Sequence, residues 1–372
     1  MSDDLLYNIA LTHIFMVGHR TARTIIDTLG SARAVFESDP ATLLTMGNVG
    51  KYLSDRGYQT AALQRATKEI EQMARHNIHA VSIQDAKYPK RLAQCPDAPI
   101  VLFHTADIDL NAAKMLTIVG TRRITPYGSD LTKQLVADIA SNAPDTIIVS
   151  GLAYGTDITA HRVALSCGLR TIGVVAHGLD TIYPPSHRNT ASDMCRNGGG
   201  VVTEYTTNTR PDPQNFVQRN RIVAGLTDAT IVVESARKGG SLITASIAND
   251  YNRDVFAFPG RIGAEFSEGC NCLIRDNKAQ LITSATDVIN LLKWDTPTPQ
   301  ATQQSLFDDE PLPPEQQQVI NLLQNEPLHI NTISRAIGLP IQHTSALLTN
   351  MVFDDLLLQL PGDTYTISTK RH

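Results

Sequence analysis

Cysteine is scarce in this chain: five residues among 372, scattered and odd in number. That pattern argues against a disulfide framework and for reduced thiols in a cytoplasmic protein. Cys270 and Cys272 are separated by one residue, which is not the usual zinc spacing. No apolar run approaches the ~20 residues needed to span a bilayer. The start, Met1-Ser-Asp-Asp-Leu-Leu, has neither the basic nor the apolar part of a secretory signal, so no membrane partner is expected. An excess of positive charge is also missing: 32 Lys and Arg face 37 Asp and Glu, a net charge of −5. A protein that coats duplex DNA through charge alone would be basic. A local basic pocket is still compatible, because phosphate binding depends on where the charges sit.

Two nucleotide signatures are absent. There is no G-x-x-x-x-G-K-[ST], so an ATP motor is not indicated. There is no G-x-G-x-x-G after the first strand, so a dinucleotide is not indicated and no cofactor is expected. His177, Asp180 and His187 are close in sequence, but no Asp/Glu cluster suited to two-metal chemistry accompanies them. A metal-dependent nuclease therefore has little support.

The composition is that of a folded protein, with 42% hydrophobic and 19% charged residues. The length predicts two or three domains. Residues 1–75 read as short helices. Two segments there, Met16-Val17-Gly18-His19-Arg20 and Met46-Gly47-Asn48-Val49-Gly50-Lys51, place a glycine turn before a new helix. This predicts a helix-hairpin-helix or SAM-like module, or else a plain helix–helix turn. Over residues 76–293 the period changes. β-Branched runs at Thr117–Val119, Thr146–Val149, Thr171–Val175, Val201–Thr203, Thr230–Val233 and Val255–Phe258 alternate with helical stretches. The expected fold is α/β: a Rossmann-like, doubly wound, mainly parallel sheet. Residues 294–313 read as a proline-rich linker. Residues 314–372 predict three helices and a two-stranded wing turning at Gly362-Asp363, a winged helix.

In an open parallel sheet, ligands sit beyond the carboxyl ends of the strands. Three glycine loops are expected there: Gly120-Thr121-Arg122-Arg123, Ser150-Gly151-Leu152-Ala153, and Glu234-Ser235-Ala236-Arg237-Lys238-Gly239-Gly240-Ser241. Each offers close backbone approach and a positive helix end, and two carry paired cations. A further stretch, Phe216-Val217-Gln218-Arg219-Asn220-Arg221, combines a ring that can stack on a base with residues that can grip phosphate. The same stretch also suits a helix turn with its arginines paired to Asp212 or Asp228 and Phe216 in the core.

In order along the chain, Ile118-Val119-Gly120-Thr121-Arg122, Gly155-Thr156-Asp157-x-x-Ala160-His161, Gly178-Leu179-Asp180-x-x-Tyr183-Pro184, Arg219-Asn220-Arg221-Ile222-Val223-Ala224-Gly225-Leu226 and Gly240-Ser241-Leu242-Ile243-Thr244-Ala245 closely resemble the DNA-processing protein A (DprA/Smf) family. The resemblance implies a non-enzymatic single-stranded DNA binder that forms a homodimer and loads a RecA-type recombinase in natural transformation and recombination. It further implies that Arg122 holds backbone phosphate and that Phe216, Arg219, Asn220, Arg221, Gly240 and Ser241 line the DNA pocket; Gly120, Thr121, Gly151 and Lys238 join them from the glycine loops. Asn271, Leu273 and Ile274 fall in the family's dimer-edge stretch, although Cys270 stands where threonine is commoner.

Two further expectations come from the residues themselves. The third helix of the winged helix, Ile341–Asp354, carries no Lys or Arg and runs into two acids, Asp354 and Asp355. A helix that reads DNA needs basic or amide side chains, so this domain is expected to bind protein. The rival reading is a nucleotide-processing enzyme of the phosphoribohydrolase type, with Asp157, His161, Glu204 and Glu234 as acid–base candidates. The glutamate which that family wants after its glycine loop is absent, since Thr244 and Ala245 stand there. Asp157 and His161 share a helix face, which predicts an orienting hydrogen bond between them.

Overall fold

The computed structural model describes residues 3–294, 313–324 and 326–368. Most of the proline-rich segment expected as a linker lies outside those residues.

Nine strands form one sheet: β1 (His79–Ser82), β2 (Val101–His104), β3 (Met115–Val119), β4 (Ile147–Ser150), β5 (Thr171–Val174), β6 (Gly200–Thr203), β7 (Ala229–Val232), β8 (Asp254–Ala257) and β9 (Gln280–Leu281). Their order is β1-β2-β6-β5-β4-β3-β7-β8-β9. Strands β3 to β9 pair in parallel, while β1 and β2 add an antiparallel edge. The strands β3 to β7 are buried along their whole length. This is what continuous apolar runs produce when helices cover both faces. One face packs on helices Pro213–Gly225 and Gly240–Asp250 through Ile222, Val223, Ala245 and Ala248. The other packs on Pro126–Asn142 and Thr156–Ser166 through Leu135, Ile139, Ala160 and Ala164.

From β3 the chain steps outward to β4, β5 and β6. It then crosses back to place β7 on the other side of β3. The loops after β3 and β7 therefore diverge at a topological switch point, where this class of sheet opens a crevice.

The amino-terminal helices, from Asp3–Thr12 to the long Arg56–His76, share a core with the sheet's antiparallel edge. Ile9, Leu43, Met73, Ile100, Val101 and Phe103 belong to one cluster. Polar clasps reinforce this joint. Arg23 donates to the Cys95 carbonyl at 2.8 Å. Glu69 accepts from the Thr207 amide and hydroxyl at 2.8 and 2.7 Å. The first glycine hairpin faces the central sheet: His19, in the first turn of the His19–Leu29 helix, pairs with Glu204 at 2.7 Å. That is bracing rather than a phosphate grip.

The carboxyl-terminal unit has helices Pro314–Leu323, Ile330–Ile337 and Ile341–Phe353 and a three-stranded sheet of β10 (Leu328–His329), β11 (Leu357–Leu360) and β12 (Thr364–Ile367), in the order β10-β12-β11. Gly362 and Asp363 turn with positive φ between the wing strands. Among the described residues, no helix is long and apolar enough to cross a membrane.

Candidate nucleic-acid interface

The loop after β3 is locked by its glycines. A Cβ on Gly120 would lie 2.3 Å from Thr156 Oγ1. Gly155 has φ +76, and a Cβ there would lie 2.2 Å from the Thr121 carbonyl oxygen. The Thr121 amide donates to the Glu234 carbonyl at 2.8 Å, and Thr156 N donates to the Thr121 carbonyl at 3.2 Å. These bonds tie three strand-end loops into one rigid rim.

On that rim Arg122 is exposed. Its guanidinium lies over the Phe216 ring, 5.3 Å from the centroid. No ion pair of Arg122 is present among the described residues. Its neighbour Arg123 is instead tied to Glu265 at 2.7 Å. Phe216, half-buried in the second turn of Pro213–Gly225, also packs on Tyr183 with centroids 6.1 Å apart. Tyr183 and Tyr154 are 45% and 49% exposed, so the rim carries three rings that water can reach.

The loop after β7 brings Arg237 and Lys238, both exposed. Helix Gly240–Asp250 starts at Gly239 with no side-chain cap. Its first-turn amides keep the anion preference of an open helix N-terminus. Nothing lies within 4 Å of a Cβ built on Gly240, whereas Ser241 is buried and donates to Ser235 Oγ at 2.9 Å. The Glu234 carboxylate is turned inward. It accepts from the Thr125 amide and hydroxyl at 2.9 and 2.6 Å, at the start of helix Pro126–Asn142.

Two predicted phosphate grips require correction. Arg219 is 4% exposed and donates to the carbonyls of Gly151, at 2.6 Å, and Val174. It lies beneath the rim, where burial lowers its pKa to about 10 against the opposing pull of Asp157. Arg221 is also buried, bonded to the Asp97 carbonyl at 2.6 Å and to Glu204. Both guanidinium groups are buried and bonded within the protein rather than presented to solvent. The partners differ from the sequence alternatives too: neither arginine pairs with Asp212, which caps its own helix, or with Asp228, which holds Arg91. Asn220 is half-buried on the same helix. Gly151 needs to be glycine because a Cβ would lie 2.4 Å from Arg219 Nη1.

The residues considered for acid–base chemistry are bonded within the fold. Asp157 accepts from the amides of Gly151 and Ala153 at 3.1 and 3.3 Å, and burial raises its pKa despite Arg219. His161 does not bond Asp157, contrary to the expectation from their spacing. Its Nδ1 meets Thr171 Oγ1 at 2.7 Å across the helix–sheet boundary. Burial, then the charges of His187 and Arg219, push its pKa down to about 3. His177 and His187 bond backbone carbonyls, of Gly178 at 2.8 Å and of Leu152 at 2.9 Å.

The dimer-edge trio is also used internally. Asn271 bonds both N and O of Gly260, at 3.1 and 3.0 Å, and Leu273 belongs to the core cluster. Asn271 and Ile274 are half-buried, and Ile274 packs on the same cluster as Leu273.

Sequence reasoning missed Tyr154 and Tyr183 as parts of the rim. Each lies in a loop that follows a strand end, and that position was the available signal.

These features define a Rossmann-like α/β protein whose switch-point crevice presents cations and open rings, with a winged helix appended. The chain belongs to the DNA recombination-mediator protein A family, whose model matches residues 79–293, and a DprA winged helix domain matches residues 297–363. It is 38% identical over 208 residues to DNA processing protein DprA of Streptococcus pneumoniae, covering 56% of this chain and 72% of that one. It is 30% identical to protein Smf of Escherichia coli, covering 86% and 84%. Among solved structures, DNA processing protein A from S. pneumoniae superposes with a TM-score of 0.63 at 29% identity, covering 77% of this chain and 97% of that one. The protein of that name from Helicobacter pylori, described for its single-stranded DNA binding mode, gives 0.53 at 32% identity, covering 59% and 96%.

Proposed function

We propose that this chain binds single-stranded DNA in the switch-point crevice, without catalysing a reaction on it, and delivers the strand to a RecA-type recombinase. The observation that carries the reading is the Arg122 guanidinium on the Phe216 ring at an open rim, with no acid holding it. A strand needs a cation for its phosphates and a π-face for its unpaired bases, and a duplex hides those faces. Gly120, Thr121, Lys238 and Gly240 complete the phosphate edge. Gly151, Arg219 and Arg221 act as positioning residues, and Ser241 braces the loop through Ser235. The buried partnerships of Asp157, His161 and Glu234 support a binding role over turnover. The likeness to the H. pylori protein supports the same ligand. Homodimerisation, a cytoplasmic location and a role in natural transformation complete the proposal.

The test is fluorescence anisotropy of a labelled poly-dT oligonucleotide against a matched duplex across a salt series. Preference for the single strand, with log affinity falling as log salt rises, is the expected result. Equal binding of both, or of neither, refutes the reading. Release of free base from nucleoside monophosphates would install the enzyme in its place.

A further inference from the structure

A second basic concavity lies away from the crevice, where the amino-terminal helices meet the sheet. This basin of about 450 Å³ is lined by His13, Arg65, Lys68, Glu69, Glu71, Gln72, Arg75 and the loop Thr206–Asn208. Arg65, Lys68, Gln72 and Arg75 recur along Arg56–His76 at helical spacing and so share one face. The three cations are exposed, and no ion pair or hydrogen bond of theirs is present among the described residues. Glu69 does not cancel them: it is 6% exposed and turned onto Thr207, where it pins the far wall of the basin. His13 is half-buried, and burial followed by the charge of Arg65 lowers its pKa. Glu71, exposed and also lining the basin, opposes the cations in part.

The basin is joined to the crevice by covalent structure. The loop that forms its wall runs on through exposed Arg210 to Asp212, which caps the helix bearing Phe216. From the other side, Asp180 holds the Asn208 amide at 2.9 Å, three residues before Tyr183, which packs on Phe216. The loop 206–212 thus links the basin to the helix whose Phe216 carries Arg122.

We infer that this interdomain basin is a second phosphate-binding station, which engages the backbone of a single strand that has left the crevice. The inference rests on the reading of the crevice as a single-strand site. It gives the amino-terminal helices a ligand contact beyond bracing. Recognition there is by backbone phosphate, since no Phe, Tyr or Trp lines the basin.

The test compares the full chain with Arg65→Ala/Lys68→Ala/Arg75→Ala on labelled oligo-dT of about six and about thirty nucleotides. The substitutions are at exposed positions, and circular dichroism confirms the fold. The short strand, held by the crevice alone, should bind both proteins equally. For the long strand the salt slope should become shallower by about 2, from three lost phosphate contacts at about 0.7 each. The variant's deficit should then shrink roughly 16-fold between 50 and 200 mM salt. Identical slopes on the long strand overturn the inference while leaving the crevice reading intact. Equal losses on both strands also overturn it, because the basin would then belong to the crevice. Thermal stabilisation of wild type alone by inorganic phosphate, with no length-dependent loss, overturns it in favour of a free-anion site. If wild type binds neither oligonucleotide, both readings fall together.

Discussion

Phe216→Ala tests the crevice at its ring. The side chain is half-buried, with Arg122 over its face at 5.3 Å and Tyr183 beside it at 6.1 Å. It can therefore receive one base by displacing or sandwiching the guanidinium. Loss of one stacked base costs about 1–3 kcal/mol, which is about 5- to 150-fold in affinity. Arg122→Ala removes one phosphate contact and should flatten the salt slope by about 0.7. The two residues touch, and an exposed cation–π contact is worth about 0.5–1 kcal/mol. The double variant should therefore depart from additivity by about that amount, outside the few tenths expected of independent sites. Anisotropy with oligo-dT, at several salt concentrations, measures all four corners of the cycle. Phe216→Tyr should recover most of the affinity, because stacking needs a π-face and not a particular ring. An affinity loss under twofold for Phe216→Ala, or strict additivity in the cycle, refutes the proposed pairing of ring and cation.

Arg219→Met should destabilise the fold by about 2–5 kcal/mol in urea unfolding, because it leaves the buried carbonyls of Gly151 and Val174 without their donor, at about 1–3 kcal/mol each; a loss below about 1 kcal/mol contradicts the positioning role. Acid should weaken the protein through His161: its pKa is about 3 when folded against 6.5 in the unfolded chain. The unfolded state therefore binds more protons between those values, and stability present above pH 6.5 is lost as pH falls, by about 1.4 kcal/mol per unit. His161→Gln should flatten the pH dependence of Tm between pH 5 and about 6.5, and an unchanged profile rules this source out. Deleting residues 314–372 should leave oligonucleotide affinity nearly unchanged, since helix Ile341–Phe353 has no cation and ends with Phe353 82% exposed. A tenfold loss in anisotropy sinks the view that this unit binds protein.

The six central strands were legible because each is fully or mostly buried, and burial on both faces demands unbroken apolar runs. The antiparallel edge was not. In β1 the burial goes from exposed His79 to buried Ser82, with polar residues at both ends, and nothing local marks it as a strand. It exists because Val101–His104 pairs with it across about twenty residues of chain. The position of the site followed from topology, since glycine loops after parallel strands converge at strand ends. Side-chain direction did not follow. Phe216 and Arg219 are three residues apart on one helix, yet one reaches the rim and the other lies beneath it. What decides between them is contact with Gly151 and Val174, residues distant in sequence. Arg221 was opaque for the same reason, because Glu204 and the Asp97 carbonyl claim it from other elements. Cations in a motif identify a ligand class; only the packing says which of them are free to bind it.

That distinction also reconciles a net charge of −5 with a polyanionic ligand. Several acids nearest the two basic surfaces are occupied: Glu234 by Thr125, Asp157 by two amides, Glu204 by His19 and Arg221, and Glu69 by Thr207. Their charges are delivered to helix starts, buried guanidinium groups and loop amides. Arg122, Lys238 and Arg65, by contrast, face solvent. Screening confines each exposed charge to about 8 Å at physiological ionic strength. A strand at the rim therefore responds to those cations far more than to the total charge. Acids enclosed by the fold let an acidic protein keep a basic edge, and the arginines that the sequence offered as grips, Arg219 and Arg221, hold that edge in place.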